Sequence, residues 1–210
     1  MKQHELNTQR TARYFTLGAL NDNTKEVWIV LHGFAQLAAT FLQHFEPFAS
    51  NDKFIVAPEA LNRFYTKGYS GNVGATWMTK EAREHDIQDN HHYLNTLVKQ
   101  LNINRTTTKV IVLGFSQGVA TLTRWLHLSN FAPDCLVMYA GELAYELKTK
   151  PLPAFLHHTK CYFIYGTKDP LLPAFAPNTL HDVFGEINLH LIEFDGAHEI
   201  NCQALQQIVV

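Results

Sequence analysis

Short runs of apolar residues alternate along the chain with longer segments in which apolar and polar residues are mixed. The apolar runs are typical of strands buried on both faces of a sheet, and they cover residues 27–31, 54–57, 110–113, 135–139, 162–165 and 189–192. Residues 14–17 alternate more weakly, which suits an edge strand. Apolar residues at three- and four-residue spacing predict helices at about residues 37–50, 82–101, 117–129 and 198–208. This alternation predicts an α/β fold, with a mostly parallel central sheet and helices on both faces.

The composition narrows the class of protein. A chain of 210 residues, 46% hydrophobic and 17% charged, suits one core, so we expect residues 1–210 to form a single domain. A net charge of −2 without a basic stripe predicts no nucleic-acid partner. The first residues are polar, unlike a signal peptide, and no stretch is long enough to span a membrane. Cys135, Cys161 and Cys202 are scattered and odd in number, which favours free thiols and a cytoplasmic location.

One apolar run leads directly into a motif that carries chemistry. Parallel sheets of this kind bind ligands beyond the carboxyl ends of their strands. The run 110–113 is followed by Gly114-Phe115-Ser116-Gln117-Gly118, which fits the G-x-S-x-G pattern and opens a predicted helix. In α/β-hydrolase folds this strained turn holds a serine hydroxyl above the N-terminus of a helix. We therefore predict that Ser116 is a nucleophile; a glycine-rich turn with an incidental serine is the alternative.

A serine nucleophile needs a base, and the base needs an orienting carboxylate, in the chain order serine, acid, histidine. Asp169 follows the run 162–165, and His198 follows the run 189–192, before the last predicted helix. The spacing predicts a triad of Ser116, Asp169 and His198 in successive strand-end loops. Asp195 is a rival acid, although the loop after the preceding strand normally supplies it. A turn aspartate and a surface histidine are the plainer interpretations of the same residues.

Backbone amides at two strand ends are predicted to bind the oxyanion of such a reaction. Phe34 follows Leu31-His32-Gly33, and Gln117 follows the nucleophile. His32 is predicted to hold this loop rather than to transfer protons. No cysteine or histidine spacing indicates a metal site, and no glycine pattern indicates a phosphate-binding loop. We therefore expect no metal and no cofactor.

The longest irregular stretch covers residues 57–78, and its glycines at 68, 71 and 74 predict a mobile loop. Its large side chains are predicted to form one wall of a substrate pocket, unless they only pack the loop onto the domain: Phe64, Tyr65, Trp77 and Met78, with Tyr69 near them. The segment between the runs 135–139 and 162–165 is too short for a cap domain. We therefore expect an open site.

At these residues the chain resembles the phospholipase/carboxylesterase family, which includes acyl-protein thioesterases and small bacterial carboxylesterases. The matching segments span nearly the whole chain: Leu31-His32-Gly33, Gly114-Phe115-Ser116-Gln117-Gly118, Tyr165-Gly166-Thr167-Lys168-Asp169-Pro170-Leu171-Leu172-Pro173 and Gly196-Ala197-His198-Glu199-Ile200. The resemblance implies an α/β-hydrolase fold without a large cap domain and an activity on carboxylic esters or thioesters. It also implies the triad Ser116, Asp169 and His198, with Phe34 and Gln117 as oxyanion donors.

Two positions depart from the pattern of this family. The family often has a Gly-Asp pair soon after the His-Gly, where this chain has Ala35-Gln36, and a second glycine after the elbow, where it has Val119. The departures leave the triad intact, but they weaken the transfer of protein-depalmitoylating activity. Residues 58–65 and 74–78 look more like a bacterial esterase subgroup of the family.

The sequence thus predicts a carboxylesterase-type serine hydrolase that forms an acyl-enzyme on Ser116 and acts on a small-molecule ester. A thioesterase or lysophospholipase acting on longer acyl chains would use the same residues, so both alternatives stay open. An acyltransferase and a non-catalytic ligand-binding relative also stay open. The sequence does not decide whether the chain forms a homodimer through an exposed sheet edge.

Overall fold

The computed structural model describes residues 1–129, 131–148, 153–171 and 187–209, so Leu172 and Pro173 of the family-like segment lie outside the described residues. Each apolar run predicted as a strand is a strand. The strands are β1 (Tyr14–Leu17), β2 (Glu26–Leu31), β3 (Lys53–Pro58), β4 (Asn62–Tyr65), β5 (Val73–Thr76), β6 (Lys109–Phe115), β7 (Cys135–Tyr139), β8 (Lys160–Gly166) and β9 (Leu189–Phe194).

The central sheet has the strand order β1-β3-β2-β6-β7-β8-β9. β1 pairs with β3 in the antiparallel sense at one edge, and the other neighbours pair in parallel. The predicted mostly parallel α/β sheet, with residues 14–17 as an edge strand, is confirmed. Because β2, β6, β8 and β9 run in the same direction, the loops that follow them lie along one edge of the sheet.

Helices connect these strands and cover both faces of the sheet. They are α1 (Ala38–Leu42) with a 3-10 helix at Gln43–Phe48, α2 (Arg83–Leu101), α3 (Gln117–Ser129), a 3-10 helix at Tyr145–Leu147, α4 (Ala154–His158) and α5 (Cys202–Leu205). Within the described residues between β7 and β8, only the short 3-10 helix and α4 occur. No cap domain is formed in that part of the chain.

The side chains of β2 alternate between two apolar layers. Val27, Ile29 and Leu31 lie in the layer that includes residues of α2 and α3. Trp28 and Val30 lie in the layer formed with α1, its 3-10 helix and α5. Burial on both faces explains why this strand has no polar positions in its centre. Burial of each such side chain contributes roughly 1.5–3 kcal/mol to the free energy of folding. The two layers therefore hold the sheet, and with it the edge from which the strand-end loops extend, in a fixed position.

The predicted helix over residues 37–50 is wrong in length and type. α1 ends at Leu42, and the 3-10 helix that follows contains Pro47. Proline has no N–H to donate, so regular α-helical bonding does not continue through it.

The predicted helix over residues 198–208 is also too long. Only Cys202–Leu205 is helical, and it begins at Asn201, whose side chain accepts a hydrogen bond from the Ala204 N–H at 3.0 Å. The residues before Asn201 form the loop that carries His198.

The irregular stretch predicted at residues 57–78 contains a β-hairpin, and most of the glycine-containing segment predicted as a loop is its turn. β4 pairs with β5 in the antiparallel sense, with Phe64 opposite Gly74. The N–H and the hydroxyl of Thr66 both donate to the Asn72 carbonyl, at 2.9 and 3.0 Å, and so close the turn. Gly68 and Gly71 have positive φ angles of 60° and 94° within this turn. The glycines therefore mark a hairpin turn, not an irregular stretch.

Candidate active site

Ser116 lies at a sharp turn between β6 and α3, with a φ of 53°. Its N–H donates to the Tyr139 carbonyl of the neighbouring strand at 2.9 Å. A Cβ on Gly114 would lie closer than 3.0 Å to the Gly118 backbone, and one on Gly118 would lie equally close to the Leu31 carbonyl. Both glycines are therefore required by close backbone approach, as the G-x-S-x-G pattern predicts.

His198 and Asp169 meet across two neighbouring strand-end loops. The distance between His198 Nδ1 and Asp169 Oδ2 is 2.6 Å, and the Asp169 carboxylate is fully buried. The other carboxylate oxygen, Oδ1, accepts a hydrogen bond from the Leu171 N–H at 2.8 Å. A carboxylate on Nδ1 favours the tautomer with its proton at that nitrogen, which leaves Nε2 free to accept a proton.

The two loops are joined by backbone contacts that account for this distance. Thr167 N–H donates to the Phe194 carbonyl and Lys168 N–H donates to the Gly196 carbonyl, both at 2.9 Å. A Cβ on Gly166 would lie closer than 3.0 Å to the Gly196 carbonyl. The positions of the acid and the histidine are thus set by the β8–β9 pair.

The rival acid, Asp195, does not reach the histidine ring. Its carboxylate pairs with Lys168 Nζ at 2.5 Å, and its side chain is 76% exposed. The structure therefore brings Asp169, and not Asp195, to His198. The His198 ring also packs on Phe115, the residue before Ser116, with 4.9 Å between ring centroids. This contact holds the histidine beside the nucleophile turn.

In the turn formed by residues 33–36 after β2, three of the four amides have acceptors. Gly33 N–H donates to Gln36 Oε1 at 2.7 Å, Ala35 N–H donates to the Ala75 carbonyl at 2.9 Å, and Gln36 N–H donates to the Gly33 carbonyl at 3.3 Å. Within the described ranges, the Phe34 N–H has no acceptor. Phe34 is therefore the residue of this loop whose amide is available to an oxyanion.

This loop lies directly against the nucleophile. A Cβ on Gly33 would be 3.2 Å from the Ser116 Cβ. At the start of α3, the Gln117 N–H likewise has no acceptor in the part of the chain that the structure describes. The two amides expected from the sequence to bind an oxyanion thus lie on the two loops that meet at Ser116.

His32 supports the loop from inside the core. Its Nε2 accepts a hydrogen bond from the Ala60 N–H at 3.0 Å, so Nδ1 carries the proton and donates to the Gly33 carbonyl at 2.8 Å. Burial lowers the pKa of His32 below its ordinary value of 6.5. The neutral ring is a fixed structural part of the loop, as expected from the sequence.

The predicted pocket residues fall into two groups. Phe64 is half-buried and stacks on the Phe34 ring at 5.3 Å between centroids, and Tyr65 beside it is 51% exposed. Met78 is partly buried at the end of the same segment. Trp77 is only 1% exposed, and its indole N–H donates to the His32 carbonyl at 2.8 Å. Trp77 therefore supports the loop after β2 from the side of the core, and its side chain is too deeply buried to contact a substrate.

The site also depends on residues whose roles the sequence pattern does not predict. Gln36 occupies a position where the family often has aspartate. Its side-chain oxygen accepts the hydrogen bond of the Gly33 N–H, so that N–H is not free to bind another group. A Cβ on Gly141, after β7, would lie closer than 3.0 Å to the Ser116 carbonyl. A glycine directly beyond a buried strand is the signal that would have identified Gly141. The role of Gln36 depends on a loop conformation that spacing does not reveal.

An ion pair between a buried arginine and an exposed glutamate lies beside Met78. Arg124 of α3 pairs with Glu146, with its Nη2 3.1 Å from Oε2, and its Nη1 lies 3.5 Å from the Met78 sulfur. The hydrogen bonds from Arg124 lower the pKa of Glu146 to about 2. Glu146 therefore stays ionised near neutral pH and holds Arg124 against the edge of the site.

A cavity of about 510 Å³ adjoins the oxyanion loop between α1 and the β4–β5 hairpin. Its lining includes Gln36, Leu37, Thr40, Phe41, His44 and Val73, and none of its lining residues is an aspartate, glutamate, lysine or arginine. Its volume lies in the range of small-molecule pockets, about 300–1,000 Å³.

In the described part of the chain, no helix is long and apolar enough to cross a membrane.

Comparisons with known proteins bear on the family and the fold. The family described as Phospholipase/Carboxylesterase matches residues 14–209. Similar solved structures include esterase PE8, with 21% identity, a TM-score of 0.68 and coverage of 94% of this chain and 95% of that one. Acyl-protein thioesterase 2 of Zea mays has 16% identity, a TM-score of 0.67 and coverage of 94% and 96%. The Bacillus cereus carboxylesterase has 14% identity, a TM-score of 0.65 and coverage of 93% and 91%. None of the curated sequences compared with the chain matches it.

Proposed function

Because the chain belongs to the phospholipase/carboxylesterase family of α/β hydrolases, we propose that it is a serine esterase that cleaves small carboxylic esters. The observation that carries the proposal is the 2.6 Å contact between His198 Nδ1 and the buried Asp169, at the same sheet edge as the strained turn of Ser116. A buried carboxylate on one ring nitrogen prepares the other nitrogen to act as a base. The roles of nucleophile, base and orienting acid follow from that arrangement.

In the first step, the Ser116 hydroxyl attacks the ester carbonyl carbon while His198 Nε2 takes its proton. Asp169 remains ionised and stabilises the imidazolium that forms. The carbonyl oxygen becomes an oxyanion and accepts hydrogen bonds from the amides of Phe34 and Gln117. The tetrahedral intermediate then expels the alcohol, which receives its proton from His198.

In the second step, water replaces the alcohol. His198 takes a proton from the water, which attacks the acyl-enzyme carbonyl, and the same two amides hold the second oxyanion. Collapse releases the carboxylic acid and returns the proton to the Ser116 oxygen. No metal or cofactor takes part in this sequence of steps.

The rings near the oxyanion amides support contact with an apolar substituent of the ester. Phe34 would supply an amide to the carbonyl oxygen, and its ring is 56% exposed and stacked on Phe64. Tyr65 follows Phe64 in β4, so its side chain points to the opposite face of the hairpin and lies outside this proposed wall. The adjoining cavity is lined by uncharged and histidine side chains, which favours a substrate without a carboxylate or ammonium group.

A second candidate is a thioesterase or lysophospholipase that takes longer acyl chains. Tyr65 and Tyr69 of the hairpin favour it, because both are exposed and would offer aromatic surface to a long acyl chain. Rates on p-nitrophenyl esters of graded chain length, measured beside matched S-acyl thioesters, separate the candidates. An optimum at short oxygen esters supports the carboxylesterase, and an optimum at long chains or thioesters supports the alternative.

The nucleophile is tested with Ser116→Ala. We expect the hydrolysis of p-nitrophenyl acetate to fall by about 10⁴-fold or more, because the acyl-enzyme cannot form. A fluorophosphonate probe should label the unmodified protein and leave Ser116→Ala unlabelled. Equal rates for the two proteins would contradict the proposal, and an unlabelled wild-type protein would favour a non-catalytic binding protein.

We further propose that the protein works in a reducing compartment such as the cytoplasm. Cys135 and Cys161 are buried free thiols, and Cys202 is a partly buried one. Burial raises the pKa of Cys135 and Cys161 to about 12, so neither thiol is reactive near neutral pH. Quantifying free thiols in freshly isolated protein tests this, and three per chain is the expected result.

A further inference from the structure

We propose that the side chain of Gln117 is a positioning residue for the oxyanion loop, separate from the role of its backbone amide. This inference rests on the proposed function, since it assigns the loop a part in binding an oxyanion. The side-chain amide of Gln117 forms hydrogen bonds with the segment Thr76–Trp77–Met78. That segment in turn forms hydrogen bonds with the loop that carries the backbone N–H of Phe34.

The first link is between the nucleophile turn and the segment after β5. Gln117 Oε1 accepts hydrogen bonds from the Trp77 N–H and from the Thr76 hydroxyl, both at 3.1 Å, and the single hydroxyl proton is shared with the Met78 carbonyl at 3.0 Å. Gln117 Nε2 donates to the Met78 carbonyl at 2.8 Å. Both ends of one amide are thus used on three consecutive residues, so this segment has a fixed position relative to the start of α3.

The second link is between this segment and the oxyanion loop. The Trp77 indole N–H donates to the His32 carbonyl at 2.8 Å. Ala75 exchanges backbone hydrogen bonds with the loop, accepting from Ala35 N–H at 2.9 Å and donating to the Gln36 carbonyl at 3.0 Å. A Cβ on Gly74 would lie closer than 3.0 Å to Ala35, so β5 and the loop are in direct contact.

Together the two links form a closed ring of contacts around the proposed oxyanion hole. The Phe34 amide lies between Gly33 and Ala35, and the amides of both neighbours are already bonded. The backbone N–H of Gln117 is the other proposed donor. The side chain of Gln117 therefore helps to set the distance between the two donors, and catalysis by an oxyanion hole depends on donors that are held in place before the reaction.

The direct test is Gln117→Met, which keeps the backbone amide and the approximate side-chain length but removes all three hydrogen bonds. We expect kcat on p-nitrophenyl acetate to fall about 10- to 100-fold with KM nearly unchanged, since a misplaced donor weakens binding of the transition state. The inhibition constant of a trifluoromethyl ketone, which forms a tetrahedral adduct with serine, should rise by the same factor. Gln117→Glu keeps the two accepting contacts but sets a carboxylate oxygen against the Met78 carbonyl in place of the Nε2 donor, so it should lower kcat as well.

The pH profile and the folded state separate positioning from other effects. The pH midpoint of kcat/KM reports the base, so it should be the same in Gln117→Met as in the wild type. Circular dichroism and active-site titration should give a full complement of folded, labelled protein. If the rate per titrated active site were the same in Gln117→Met as in the wild type, the inference would be overturned, because the loss of activity would then reflect only a loss of folded protein.

A second pair of variants tests the chain of contacts itself. Trp77→Phe removes the indole hydrogen bond to His32 and should also lower kcat, and the double variant with Gln117→Met should lose less than the product of the two single losses. Trp125→Phe is the matched control, because its indole N–H is also buried and donates at 2.9 Å, but to Asn95 of α2. It should lower stability and leave kcat unchanged.

The outcomes distinguish this inference from the proposed function. An active Ser116→Ala variant would show that the function is wrong. An inactive Ser116→Ala together with wild-type kcat in Gln117→Met would overturn the positioning role alone. Fully multiplicative losses in the double variant would mean that Gln117 and Trp77 act independently, which would also overturn it.

Discussion

Ser116 adopts a left-handed backbone conformation that a serine avoids elsewhere, at a cost of about 1–3 kcal/mol. Its neighbours hold it there. The Tyr139 carbonyl accepts its N–H, and Gly141 leaves just enough room for its carbonyl. β7 therefore contributes to the nucleophile turn although it carries no member of the proposed triad.

The two nearby carboxylates allow a matched comparison at this scale. Asp169→Asn keeps the shape of the acid but removes the charge that stabilises the imidazolium, so we expect kcat to fall about 10³- to 10⁴-fold. Asp195→Asn removes an exposed ion pair with Lys168, which contributes only about 0–1 kcal/mol, and should leave kcat unchanged. Steady-state rates of the two variants on one ester provide the measurement. The reverse ranking would assign the acid to Asp195.

Single residues also differ in how far the sequence predicts them. Ser116, Asp169 and His198 are predictable because each follows a buried strand, and the direction of parallel strands carries them to one edge. Trp77 was not predictable, since an aromatic residue in a loop can face either solvent or core. Its burial is decided by the His32 carbonyl, which accepts its indole N–H only once β2 and β5 are in place.

At the scale of elements, the β4–β5 hairpin supports the loop after β2. Its second strand exchanges hydrogen bonds with Ala35 and Gln36. Ala35 has a φ of 62°, so the loop contains a residue in an unfavourable conformation that depends on this support. The hairpin therefore supports the proposed oxyanion site and also forms one side of the adjoining cavity.

Two glycines of the hairpin give a direct test of that support. In Gly74→Ala, the new Cβ would lie closer than 3.0 Å to the Ala35 backbone, so the strand and the loop must separate. We expect kcat to fall about 10- to 100-fold. Gly71→Ala meets no atoms within 4 Å but has a φ of 94°, so it should cost about 1 kcal/mol of stability and leave kcat unchanged. Rates and urea unfolding measured on both variants decide the matter, and unchanged kcat in Gly74→Ala would contradict the support.

Elements that are buried on both faces were predicted better than those near the surface. Strands β2, β3, β6, β7 and β8 were visible as apolar runs, because burial on both faces leaves no polar position in their centres, whereas the edge strands β1 and β9 keep exposed positions. The hairpin was missed because its glycines and polar residues are typical of loops, and only pairing between β4 and β5 makes it regular. The two shortened helices failed for local reasons, namely Pro47 inside one and a late cap at Asn201 in the other.

At the scale of the whole molecule, stability should depend on pH through His32. Its ring is neutral in the folded protein, because protonation of Nε2 would oppose the Ala60 N–H, and burial lowers its pKa below 6.5. Below pH 6.5 the unfolded chain therefore binds a proton that the folded chain does not. The free energy of unfolding should be fully retained above pH 6.5 and should fall as the pH drops below it.

Urea unfolding between pH 7.5 and 5 measures this dependence. His32→Gln removes the titrating group, so the loss of unfolding free energy per pH unit should be smaller in that variant than in the wild type. His44→Gln is the control, since this exposed histidine should leave the slope unchanged. Identical slopes in wild type and His32→Gln would assign the effect to other groups.

The order of strands in the sheet has a consequence for folding. Phe34, Ser116, Asp169 and His198 are far apart in the sequence, so the site consists almost entirely of contacts that close long loops, and such contacts form slowly. Among the described strands, β9 pairs only with β8, and the residues after it carry His198. A refolding chain would therefore gain the proposed base only when this edge strand docks, so the return of activity would report the completion of the sheet rather than its nucleation.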